Sequence, residues 1–210
     1  MIVMHIIIET QTFPPVSFFA RAMQSEGILI EVQENYQKRS LRNKFLILSA
    51  NGPQLLTIPL VKGKNDQKSI VDVSISYDQN WPKQFKNHLQ SAYGKSPFYL
   101  FYEMELFRIL DSGIQNLAEL NFNLLVFVIK KTGINFTVGQ TEAFLLNYSG
   151  NYCDLRNRYT LKGGLAGVKD VYYPQVFEHK FGFVRGLSIL DLLFNMGNES
   201  INILKQYDFQ

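Results

Sequence analysis

The sequence predicts an α/β protein: a mixed sheet with an N-terminal βαβ unit, a β-hairpin and a helical middle segment. Three observations carry that expectation. A β-branched run at residues 5–9 meets Pro14-Pro15, a short helical stripe and a second apolar run at 28–32. Asn51-Gly52 separates two further strand-like runs. Between residues 80 and 132, apolar residues recur at helical spacing behind recognisable start signals.

Taken in order, Pro14-Pro15 cannot continue a strand, but a proline suits the first turn of a helix. Residues 16–24 supply that helix, with Phe19, Ala22 and Met23 on one side, and Gly27 stops it. Two strands joined through a helix make a βαβ unit. A polar loop at 33–43 leads to the hairpin strands, 45–50 and 55–60, whose Pro53 and Pro59 place them at a sheet edge. A strand is expected at 70–76. Helices follow at 80–93, with Asn80 at the cap, at 98–110 behind Ser96-Pro97, and from Asn116, whose partner Glu119 completes a capping box. Thr132-Gly133 ends the third, and a strand is expected at 134–138. The chain then reads as loop-rich from 150 to 167, with a strand at 171–176 and a last helix from Ser188 to about Met196. Ser188 and Asp191 are read as a capping box.

Composition bounds the function. The chain has 210 residues, and 21 Lys+Arg against 18 Asp+Glu leave a net charge of +3. No linker or repeat divides it, so one domain over residues 1–210 is expected. A hydrophobic share of 46% with 14% aromatics excludes disorder. The single cysteine, Cys153, rules out a disulfide framework and fits a reducing compartment, so a cytoplasmic location is expected. The apolar N-terminus lacks a basic region and a cleavage site, and the run at 122–129 is far short of the roughly 20 residues that span a bilayer. No membrane insertion is expected. Nor is nucleic acid, because no Lys/Arg block is present. The mild positive balance favours a small anionic substrate.

Two loops carry the candidate chemistry. Residues 34–44 hold Lys38, Arg39, Arg42 and Lys44 beside Asn35, Tyr36 and Asn43, directly after a predicted strand. Ligands of α/β folds bind beyond the carboxyl ends of strands, and arginine forks grip phosphate or carboxylate. A solvated basic loop is the equal alternative. Residues 9–15, with Glu9 and Gln11, follow the other early strand and precede a helix N-terminus, a ready place for negative charge. The alternative there is a stiff turn. His88 and His179 are general-base candidates, for each of which a surface or packing role is the stronger reading. Three scattered histidines and one cysteine show no ligand spacing, so no metal is expected, and cofactors stay open. The glycines at 163–167 lack the Walker spacing and read as a mobile loop. Cys153, without a neighbouring histidine, reads as inert.

Those motifs together resemble the WbqC-like family of bacterial proteins, over nearly the whole chain. The resemblance lies in residues 8–19, in the Tyr36-to-Asn43 loop, in the 52–59 hairpin, in Trp81 with His88, Tyr93 and Pro97, and in 173–177 with 187–197. Family members are often found with genes for surface-polysaccharide synthesis. The resemblance therefore implies a transferase-like role on a nucleotide-sugar, glycan or acyl-type substrate. Many members carry a histidine before the opening Gln-Pro, where this chain reads Glu9-Thr10-Gln11-Thr12. The opening also resembles nucleotidylyltransferase-like folds, without their histidine pair. In the expected site Lys38, Arg39 and Arg42 bind the anion, such as that of a nucleotide-sugar, Asn43 and Gln11 orient the substrate, and Glu9 or His88 is the acid/base. The competing expectation is a non-catalytic binding or scaffold protein of the same pathway, using aromatics among Phe98, Tyr99 and Tyr102.

Overall fold

β1 (His5–Glu9) and β2 (Gly27–Glu31) lie parallel and paired, joined through α1 (Val16–Met23), in a computed structural model that describes residues 4–161, 164, 165 and 167–209. The antiparallel hairpin of β3 (Lys44–Ser49) and β4 (Gly52–Thr57) follows. Then come α2 (Trp81–Tyr93), α3 (Tyr99–Leu110) and α4 (Leu117–Thr132). β5 (Thr137–Gln140) and β6 (Tyr152–Asp154) complete the sheet, and α5 (Glu178–Phe181), α6 (Ile189–Met196) and α7 (Ser200–Leu204) close the chain. The sheet order is β5-β2-β1-β6, with every pairing parallel. The architecture is mixed α/β, as expected.

Parallel strands covered on both faces read as continuous apolar runs rather than alternating ones. Ile6, Ile7 and Ile8 of β1 and Ile28 and Ile30 of β2 are all buried accordingly. Helix starts follow local chemistry: Asn80 accepts from the Lys83 amide (3.2 Å) and Asn116 from the Glu119 amide (2.9 Å). Gly133, at φ 67°, ends α4 in the left-handed conformation that costs glycine nothing. An edge-to-face series of Phe13, Phe45, Phe85 and Trp81 ties the loop after β1 to the hairpin and to α2. Among the described residues no helix is long and apolar enough to cross a membrane.

Several expected elements differ. The hairpin forms its own two-stranded sheet instead of an edge of the main one. Residues 70–76 make a short 3-10 turn, Ile70–Asp72, and two single bridges, Ser74 to Asn116 and Leu60 to Ile75. Residues 171–176 form no strand, whereas β6 arises in the stretch read as loop. β5 starts three residues later than expected. Phe98, not Ser96, precedes α3, because the Ser96 hydroxyl bonds back to the Tyr93 carbonyl (2.6 Å). Ser188 precedes α6 without a side-chain cap, and Asp191 is fully buried instead of capping. Of the glycine-rich stretch, Lys162, Gly163 and Ala166 lie outside the described residues.

One backbone contact fixes how closely β2 and β5 approach. A Cβ on Gly27 would lie 2.7 Å from the Thr137 carbonyl oxygen and nearer still to its hydroxyl. Gly27→Ala is therefore expected to cost about 1–3 kcal/mol of stability, the usual range for overpacking, read as a lower urea midpoint. An unchanged midpoint would show that β5 can move aside freely.

Candidate functional site

Every strand of the parallel sheet ends on a polar residue: Glu9, Glu31, Gln140 and Asp154. Glu9 and Glu31 are register partners and both are buried. Buried carboxylates need partners, and two arginines supply the positive charge for part of this group. Arg42, with no exposed surface, grips Glu34 bidentately at 2.7 and 2.6 Å. Arg156 pairs with Glu31 (3.1 Å) and Asp154 (2.6 Å) between the rings of Phe144 and Tyr148.

Asn157 ties Glu9 to the first pair. Asn157, held at φ 59°, donates its amide N–H to Glu9 Oε2 (2.8 Å), and its side-chain oxygen accepts from Arg42 Nη2 (3.0 Å). Left-handed backbone is tolerated better by asparagine than by most residues, so this position suits its occupant. Glu9 Oε1 accepts from Gln11 Nε2 (2.8 Å). Burial pushes the Glu34 carboxyl above its ordinary range against the pull of Arg42, and the charges of Glu9 and Glu31 add to the rise. Arg156 overcomes partial burial to hold Asp154 below its ordinary range.

Above these ends lies a cavity of about 260 Å³, roofed by the start of α4 and part of α1. Its polar lining is Glu9, Thr10, Gln11, Asn116, Glu119, Asn121 and Gln140, set among apolar side chains including Ile8, Phe18 and Leu125. An apolar cavity of about 150 Å³ takes up benzene, so this one has room for a monosaccharide-sized group. The position agrees with the general rule for open α/β sheets, in which ligands occupy the crevice outside the strand ends. Thr12 and Asn121 fasten the rim. The Thr12 hydroxyl lies 2.9 Å from the Arg42 carbonyl and 2.7 Å from Asn121 Oδ1, and Asn121 Nδ2 donates to the same carbonyl (2.7 Å).

The residues singled out from sequence divide into two groups. Glu9 and Gln11 line the cavity, and Arg42 belongs to the network beneath it. Asn43 accepts from the Tyr36 hydroxyl (3.0 Å) and donates to the Ile58 carbonyl (2.8 Å), which shapes the loop. Lys38 and Arg39 are exposed, Lys38 beside Asp66 at 3.2 Å. His88 is exposed on α2 against Gln54 (3.3 Å) and does not line the cavity. Sequence reasoning missed Glu31, Asn116, Glu119, Asn121, Gln140, Arg156 and Asn157. A polar residue closing each apolar strand was the available signal for Glu31 and Gln140. Among the described residues no group of three or more His, Cys, Asp or Glu side chains is arranged to hold a metal ion.

Fold and site thus define an α/β protein with a parallel four-stranded sheet and a cavity of mixed apolar and polar lining at the carboxyl ends of its strands. Residues 10–156 match the WbqC-like protein family, and the chain belongs to that family. The match takes in the cavity loop after β1, the 34–44 loop, α4 and Arg156, whereas Asn157 and α5 to α7 follow it. No curated protein matches the chain. No solved structure matches it either.

Proposed function

We propose that this chain is a transferase-like protein of bacterial cell-surface polysaccharide biosynthesis that binds the sugar part of its substrate in the cavity at the strand ends. One observation carries the reading. The cavity alternates apolar walls with amide and carboxylate groups, the mixture that fits a sugar ring's faces and hydroxyls. The pathway follows from the family resemblance. Glu9, at 2% exposure, is the acid/base candidate. In a water-poor cleft its charge acts through a low effective dielectric. Gln11 orients the substrate. For a nucleotide-sugar, the exposed cations of Lys38 and Arg39 are the groups available to its phosphates. Arg42 is committed to Glu34, so its substitution reports on stability as well as binding.

A thermal-shift panel of nucleotides, nucleotide-sugars, coenzyme A thioesters and amino acids tests the reading. Ligand at 100 times its Kd adds about 2.7 kcal/mol to the native state, roughly 5–10 °C for a chain of this size. The nucleotide-sugars are expected to raise the melting temperature of the wild type but not that of Ala118→Phe, which narrows the cavity beside α4. No shift with any nucleotide-sugar, or an equal shift in the variant, would overturn the assignment. A second reading, a non-catalytic binding or scaffold protein of the same pathway, draws on α3. Tyr99 and Tyr102 are buried there, but Leu100, Phe101 and Met104 are 72%, 75% and 65% exposed.

A further inference from the structure

The cavity's lining is short of positive charge. The side-chain amides of Gln11, Asn116 and Asn121 each give an N–H to a partner within the protein, to Glu9, to the Val71 carbonyl and to the Arg42 carbonyl. Gln11, only 5% exposed, keeps its Oε1 buried with no partner among the described residues. An orphaned buried acceptor is unfavourable, and a donor arriving on a ligand recovers that loss. Glu9 uses two of the roughly four acceptor positions of a carboxylate, leaving the others open. Glu119 places a second carboxylate at the rim, and none of the described lining residues is Lys, Arg or His. In the network beneath, Arg42 pairs with Glu34 and Arg156 with Glu31 and Asp154, whereas Glu9 accepts from Gln11 and from the Asn157 amide and has no cation against it among the described contacts.

We propose that the cavity takes the ammonium-bearing end of a hydroxylated ligand, an amino sugar, with its charge between Glu9 and Glu119 and a donor on Gln11 Oε1. This deepens the sugar-binding reading above and rests on it. An ammonium group brings donors for Gln11 Oε1 and the two carboxylates, and a positive charge that none of the described lining residues carries. A neutral sugar brings the donors alone. An N-acetylated sugar brings one donor and a carbonyl that meets a lining already rich in acceptors. A phosphate in this cavity would face two carboxylates and no cation.

Glucosamine, glucose and N-acetylglucosamine are the probes, titrated against the full chain in mildly acidic buffer and followed by ligand-observed NMR. Glucosamine is expected to bind about tenfold or more tightly than either neutral sugar, a preference of about 1.4 kcal/mol. Glu119→Gln is expected to remove most of that preference, weakening glucosamine far more than glucose. Gln11→Leu tests the orphan acceptor, and is expected to weaken all three sugars. Equal binding of glucosamine and glucose to the wild type overturns the amine assignment and leaves the sugar reading standing. Binding of none of the three, to a chain whose melting curve shows it folded, overturns both.

Discussion

Arg42→Ala is expected to cost about 3–5 kcal/mol of folding stability, a loss that approaches the whole margin only for a fold at the low end of the usual range of roughly 5–15 kcal/mol. The side chain has no exposed surface, and it makes two short bonds to Glu34 and a third to Asn157. Its removal strands a carboxylate that is itself 5% exposed. Burial already pushes that carboxyl up in the intact pair. The folded form of Glu34 therefore holds its proton more tightly than the unfolded chain does. The sign for stability follows: an acid with a raised folded value contributes most below its unfolded value of 4.5 and loses that contribution as pH rises through the folded one. With Arg42 gone the rise is larger, so the variant should recover part of its deficit as the solution is acidified. Urea midpoints measured across pH for Arg42→Ala, Glu34→Leu and the double variant Arg42→Met/Glu34→Leu check this. The double variant should lose less than the sum of the singles, because two apolar side chains leave no charge unpaired. A loss below about 1 kcal/mol in both singles would mean that water reaches the pair and that the network is not a rigid floor for the cavity.

That network also shows why the site was only half legible in the sequence. Glu9 and Gln11 could be singled out because they follow a buried strand and precede a helix, both of which are local signals. The same logic selected Arg42 as a ligand-binding cation, but a cation in a polar loop looks identical whether it faces a substrate or a buried glutamate eight residues away. Only folding reveals that Glu34 occupies its fork. Asn116 was readable as a cap, and it is one, yet its place on the cavity wall depends on α4 crossing the ends of β1 and β2. Arg156 and Asn157 follow β6, a strand of three residues with no periodicity to detect. It pairs with β1 over His5 to Ile7, a contact between positions nearly 150 residues apart. The βαβ unit, the hairpin and the central helices were legible because period, turn chemistry and caps are local; the parallel edges were not, because their pairing is set by tertiary contacts. The misread capping box has the same origin. Ser-x-x-Asp is a good start signal for a surface helix, and α6 is not one: six consecutive residues from Ile189 to Phe194 are buried.

Asp191 is where that burial has a measurable consequence. It sits on α6 with Tyr93 of α2 and with Tyr173 and Gln175 around it. Burial pushes its carboxyl from 3.8 up to about 6, although those three side chains oppose the rise. Neither carboxylate oxygen meets a partner in good hydrogen-bond geometry among the described residues, which is why burial wins. Both phenols are held well above 10, so across the acid range only the aspartate of this cluster titrates. The folded state binds the proton more tightly than the unfolded chain, so this group's contribution is complete below about pH 4 and is lost as pH rises to about 6. At neutral pH the native state carries a buried charge, with a penalty of about 3 kcal/mol for a shift of roughly two units. Asp191→Asn keeps the shape and removes the charge. The variant is expected to be more stable than the wild type at neutral pH by up to about 3 kcal/mol, with the gap closing below pH 4. Most paired surface carboxylates act in the opposite direction and are common to both proteins, so the difference between the two curves isolates this one group. Urea unfolding of both at intervals from about pH 4 to 7 decides it. A gap that stays flat across that range would place the ionisation of Asp191 outside the window and show that Tyr93 and Tyr173 satisfy the carboxylate after all.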